Sequence, residues 1–264
     1  MEKERRISEY HMVDVSPWPV MSVIALMGVL IGMIEWMHGM GGRILVMGVI
    51  SMLMSMYGWW RDVIREGVLE GSHTGKVQEG LRKGVLWFIF TESMLFVSIF
   101  WAYYHSSLSP SVELGGVWPP RGIRVVEAWE LPMLNTLLLL MSGVTVTWSH
   151  ESMRSGEKEE MEKGLGITII LGIVFLMIQG YEYYESEFRI TDGVYGSSFY
   201  MGTGFHGMHV LVGVIMLSMG LIRSIRGELT SEHHVGLEAG IWYWHFVDVV
   251  WLFLFVSIYW WGGV

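Results

Sequence analysis

Seven long apolar runs, each close to the roughly 20 residues that cross a hydrocarbon layer as an α-helix, alternate along the chain with short segments rich in charge, glycine and proline. They extend from Trp18 to Met37, Arg43 to Trp60, Leu81 to His105, Ala128 to Ser152, Gly164 to Glu185, Ser197 to Ile225 and Gly236 to Trp261. The second is the least apolar, interrupted by Gly42, Gly48, Ser51, Ser55 and Gly58. No regular repeat or low-complexity tract appears, and no linker is long enough to separate soluble domains. The pattern predicts an all-α, polytopic membrane protein. It forms a single membrane domain over 1–264, with an N-terminal segment at 1–17, two helices within 18–60 and five within 81–261.

The basic residues test that count independently. If the chain crosses seven times, 13 of its 17 lysines and arginines fall on one side: Lys3, Arg5, Arg6, Arg61, Arg65, Lys76, Arg82, Lys83, Arg154, Lys158, Lys163, Arg223 and Arg226. Only Arg43, Arg121, Arg124 and Arg189 fall on the other. Positive charge accumulates on the cytoplasmic or matrix side, so the N-terminus is expected there and the C-terminus opposite. Six or eight spans break the alternation. Trp59 and Trp60, Trp101 to Tyr104, and Tyr259 to Trp261 sit at span ends as interfacial aromatic belts do.

Composition agrees. Of 264 residues, 52% are hydrophobic and 16% charged, against about 25% charged in soluble domains. Mean hydropathy is only +0.42 because 33 glycines and the polar loops dilute it. The 21 methionines read as flexible packing on helix faces rather than a metal site. Absence of cysteine excludes disulfides, thiolate metal sites and a cysteine nucleophile, and leaves the redox compartment unread. A net charge of −9 provides no basic groove for nucleic acid. The start, MEKERRISEYH, has the form of neither a transit peptide nor a cleaved signal, so insertion is expected to use the first span.

Within the spans, a few residues carry candidate chemistry. Glu92 lies nine residues beyond Lys83, roughly 13 Å into a hydrocarbon layer about 30 Å thick. A carboxyl there is a proton-transfer group, a group ordering a lipid or neighbouring helix, or a structural hydrogen bond between helices. His245 and Asp248, one turn apart, invite the same readings. Arg61 and Arg65 leave the membrane four residues apart beside Trp60, and Arg223 and Arg226 sit on the same side. These guanidinium pairs suit a phospholipid phosphate, or serve only to enforce topology. His206 and His209 have ligand-compatible spacing, and His150 can meet His233 or His234, but polar bridging between helices explains such histidines as well.

The strings MYGWWRDVIREG, HTGKVQEGLRKG, FWAYYHSSLSP, DGVYGSSFYMGTGFHGMHVLVG and SEHHVGLEAGIWYWHFVDVVWLFLFVSIYWWG closely resemble cytochrome c oxidase subunit III, particularly its mitochondrial form, over about Tyr10 to Gly262. The resemblance implies seven transmembrane helices arranged as two plus five around a V-shaped lipid cleft. The expected role is that of a non-catalytic core subunit of the proton-pumping oxidase in the mitochondrial inner membrane, N-terminus in the matrix and C-terminus in the intermembrane space. It implies no redox centre in this chain, with haem a, haem a3 and copper held by partner subunits. The expected partners are subunits I and II, accessory subunits, membrane phospholipids and other respiratory complexes.

Tyr57, Trp60, Arg61 and Arg65, with Arg223 and Arg226, are similar to cardiolipin-headgroup positions. Glu66, His73 and His209 are similar to contacts for a second phospholipid, phosphatidylethanolamine or phosphatidylglycerol. Glu92 matches the family's carbodiimide-reactive carboxyl. The sequence departs from the family at Ser72, where a histidine is common, and Glu35 and the acidic 156–164 loop have no functional account. Subunit III of a related quinol oxidase remains an alternative. A separate transporter is expected to show inverted repeats or paired broken helices, which are not found.

Overall fold

The computed structural model describes residues 9–231 and 233–263. Seven helices long and apolar enough to span a membrane account for most of them. They are α1 (Trp18–Met37), α2 (Arg43–Val68), α3 (Gly75–Leu108), α4 (Leu131–Ser155), α5 (Lys158–Glu185), α6 (Gly193–Ile225) and α7 (Val235–Leu254). No β-strand occurs among the described residues. A π-helical turn (Phe255–Trp260) and a 3-10 turn (Trp261–Gly263) prolong α7. Each predicted span is therefore a helix, but α2 runs eight residues past Trp60 and α3 starts six before Leu81. Hydropathy marks the part of a helix that lies in hydrocarbon, whereas backbone hydrogen bonding continues into the polar loop until a breaker intervenes.

Local sequence accounts for several ends. Pro17 precedes α1 and Pro132 lies in the first turn of α4, positions where proline's missing N–H costs nothing. Gly156 ends α4 in the left-handed region at φ 80°; its N–H donates to the Met153 carbonyl and the next N–H, of Glu157, to the Ser152 carbonyl.

Two compact units divide at Leu81 and Arg82, partway along α3. In the first, Met1–Leu81, α1 and α2 form a tightly packed hairpin. A Cβ on Gly48 would lie 2.6 Å from the Val29 nitrogen, and one on Gly32 would lie 2.2 Å from the Leu45 nitrogen, so only glycine permits this backbone approach. Ser22 and Ser55 share a hydrogen bond of 2.7 Å across the same seam.

The second unit, Arg82–Val264, is organised around α7. Over half of its span is buried, against about one residue in nine of α1 or α3. Trp244 and Trp251 are fully enclosed, and their indole N–H groups donate to Ser142 Oγ (2.9 Å) and Thr136 Oγ1 (3.0 Å) of α4. Further polar bridges join Thr145 to Thr168 and Tyr183 to Thr203, each at 2.7 Å. Lipid tails are as apolar as leucine, so association of these helices relies on close packing and such hydrogen bonds, each contributing about 0.6 kcal/mol.

Lipid-contact candidates and the buried carboxyl

Tyr57, Trp60, Arg61 and Arg65 follow one another at helical spacing along α2, and all four are exposed. On the same helix Gly48, Ser55 and Gly58 are buried against α1, with Tyr57 and Trp60 turned away from them and Arg61 and Arg65 flanking that seam. Asp62 ties the two faces together. Its Oδ2 accepts a 2.7 Å hydrogen bond from the Trp18 indole, while Oδ1 accepts from Arg61 Nε and Nη2 at 3.0 and 2.9 Å. The Arg61 fork is thus oriented from the protein side before any ligand arrives.

Glu66 and His73 belong to a separate cluster in the same unit. Glu66 Oε2 lies 3.5 Å from His11 Nε2, and the His11 and His73 rings meet edge-on at 5.8 Å. Gly67 lies beneath the His73 ring, where a Cβ would come within 2.7 Å of Nδ1. The segment before α1 is fastened here as well: the Thr74 hydroxyl donates to the Glu9 carbonyl at 2.6 Å, and Lys76 pairs with the Glu9 carboxylate. Sequence reasoning did not single out His11 or Glu9, since nothing local in MEKERRISEYH marks them as partners of a loop some 65 residues on.

In the second unit, Glu92 and His209 meet directly. Glu92 Oε2 lies 2.9 Å from His209 Nε2 and joins α3 to α6, while His209 Nδ1 contacts the Phe205 carbonyl at 2.6 Å. The imidazole is enclosed by Phe96, Tyr243 and Phe246. Of the readings open for Glu92, the bridge between helices is present in the structure. Arg223 Nε donates to Glu228 Oε2 at 3.3 Å and is half-buried, whereas Arg226 is exposed at the end of α6.

Three further histidines, His150, His206 and His234, are engaged within the protein. His206 is buried between Phe175 and Trp251, and its Nε2 donates to the Val247 carbonyl at 3.1 Å. His150 and His234 meet edge-on at 6.0 Å. Among the described residues, no group of three or more His, Cys, Asp or Glu could hold a metal ion. A second buried carboxyl escaped the sequence reading. Glu182 Oε1 accepts from Tyr259 Oη at 2.6 Å and from Gln179 Nε2 at 2.9 Å, linking α5 to the π-turn after α7. Its only sequence signal is a glutamate three residues after a glutamine at the polar end of a span.

The family model described as cytochrome c oxidase subunit III matches residues 8–263. The chain belongs to the cytochrome c oxidase subunit III family. Cytochrome c oxidase subunit 3 of Salmo salar is 55% identical over 254 residues, covering 96% of this chain and 97% of the relative. That of Arabidopsis thaliana is 52% identical over 263 residues, covering 99% of each. The family resemblance found in the sequence therefore holds across the chain, and membership makes it a subunit of an oxidase complex. All seven helices of a subunit III fold are present.

Proposed function

We propose that this chain is the non-catalytic core subunit of a proton-pumping cytochrome c oxidase in the mitochondrial inner membrane. In this reading it packs on subunit I, holds structural phospholipids and sustains proton uptake, while haem a, haem a3 and copper belong to subunits I and II. The observation that carries the lipid role is the exposed row Tyr57, Trp60, Arg61 and Arg65 at the charged end of α2, with Arg61 already aimed by Asp62. Guanidinium forks bind phosphate oxygens bidentately, and an interfacial indole fixes the depth at which the headgroup rests. Arg226 is exposed at the end of α6, and Glu66 and His73 are proposed as contacts for a second phospholipid.

The carboxyl of Glu92 then has a positioning role. With His209 it ties α3 to α6, and in this reading the proton path itself belongs to the catalytic subunit. Engagement of His206 and His209 with protein acceptors supports leaving electron transfer to the partners.

Arg65→Ala in the intact oxidase tests the reading. Bound phospholipid should fall and the number of turnovers before inactivation should shorten, while initial oxygen consumption stays near normal. Retained lipid phosphorus would remove Arg65 from the site, and lost lipid with an unchanged catalytic lifetime would break the link between lipid and sustained turnover.

A further inference from the structure

Polar side chains also sit at the middle of the outer surface formed by α4 and α7, at residues the proposed function leaves unused. Gly143 is the central residue of α4, and His245 and Asp248 lie near the centre of the span Val235–Gly263. His245 Nδ1 is 3.9 Å from Asp248 Oδ2, and His245 Nε2 is 3.5 Å from Thr147 Oγ1. The Thr147 hydroxyl is already donating to the Gly143 carbonyl at 2.8 Å, so toward His245 it can only accept. Asp248 Oδ2 rests on Gly143, where a Cβ would come within 2.9 Å, and buried Oδ1 has no hydrogen-bond partner among the described residues. The His245 side chain is 44% exposed and Thr147 is exposed, in a surface whose other members, Val144, Trp148, Val249 and Leu252, are apolar.

This arrangement is out of place against lipid. At mid-depth an acyl chain offers no donor or acceptor, and an imidazole beside a carboxyl with incomplete hydrogen bonding is strongly disfavoured there. The apolar rim rules out a water-filled pore on this face. What fits is a surface of the same pattern: apolar residues around one hydrogen-bonding side chain at the same depth.

We propose that the α4–α7 face is a docking surface for a transmembrane helix of another subunit, one that presents a hydroxyl or carboxamide side chain to His245 and Asp248 at mid-membrane. This rests on the chain being one subunit of an assembled oxidase. Gly143 has a specific part in it, because its missing side chain gives Asp248 room to lie flat against α4 and keeps the surface level enough for a helix to seat.

Photolabelling of the wild-type protein tests this. Phospholipid carrying a diazirine midway along its acyl chain is irradiated with the intact oxidase and with the chain dissociated in detergent, and adducts are located by peptide mass spectrometry. Label on Val144–Trp148 and His245–Val249 should be lost in the complex and appear on dissociation. Equal label in both states would place lipid on this face and overturn the proposal, as would cross-linking of the face to a second copy of the chain. In the assembled enzyme, Asp248→Leu should weaken retention of the subunit during detergent washing while Asp248→Asn, which keeps hydrogen bonding, should not; equal retention would also overturn it. Co-purification with the haem-containing complex is scored separately, so a chain that co-purifies but labels equally sinks the docking surface and leaves the subunit assignment standing.

Discussion

One carbonyl oxygen determines how His209 behaves. The Phe205 carbonyl can only accept, so Nδ1 carries a hydrogen, and Nε2 therefore faces Glu92 across a single shared proton. Whether that proton rests on the carboxyl or the ring, the pair is neutral as a unit, which is how a carboxyl and an imidazole are tolerated among Phe96, Tyr243 and Phe246. Glu92→Gln keeps a donor for Nε2 and should leave the subunit's thermal stability in the intact oxidase nearly unchanged. Glu92→Leu strands Nε2 in an apolar pocket and should cost about 1–3 kcal/mol, read as an earlier unfolding transition. Equal losses from both variants would mean that packing, not the shared proton, holds α3 to α6. Glu92 and His209 were each legible in the sequence as polar residues within spans. Their pairing was not, since 117 residues separate them and only the packing of α6 on α3 brings them together.

Among the elements, α2 shows how a weak hydropathy signal acquires a cause. Its low apolarity came from Gly48, Ser51, Ser55 and Gly58, and three of these, Gly48, Ser55 and Gly58, are the buried residues that face α1. Small residues lower the hydropathy of a span for the same reason that they make it a good packing surface. The Trp18 ring lies over Gly58, where a Cβ would approach to 2.4 Å. Gly48→Ala should force the α1–α2 backbones apart and cost about 1–3 kcal/mol, as overpacking does. Gly80→Ala, on α3 with open space around it, should be neutral or stabilise by up to about 1 kcal/mol through helix propensity. Limited proteolysis of the loop between α1 and α2 distinguishes them: cutting should quicken for Gly48→Ala alone. The division at Leu81 and Arg82 left no mark in the sequence, because it falls within an unbroken helix whose residues record their solvent and not their neighbours.

For the whole molecule, the distribution of positive charge makes the sharpest statement about orientation. Seven spans place 13 of 17 basic residues on one side, and all five lysines, Lys3, Lys76, Lys83, Lys158 and Lys163, fall within that group. The other side carries arginine alone, which amine reagents do not touch. Lys76, Lys158 and Lys163 are well exposed, with side chains 55–58% accessible, so failure to react would not reflect burial within the chain. Salt bridges from Lys158 to Glu162 (3.6 Å) and from Lys163 to Glu160 (2.8 Å) are solvent-exposed and too weak to shield an amine. A membrane-impermeant amine reagent should therefore modify none of these lysines when added to mitoplasts, whose inner membrane is sealed with its outer surface exposed. Added to inside-out inner-membrane particles, it should modify Lys158 and Lys163, which lie in the first two turns of α5. Modification in mitoplasts would reverse the orientation, and modification of Lys76 and Lys158 from opposite sides would break the seven-span count, because two spans separate them.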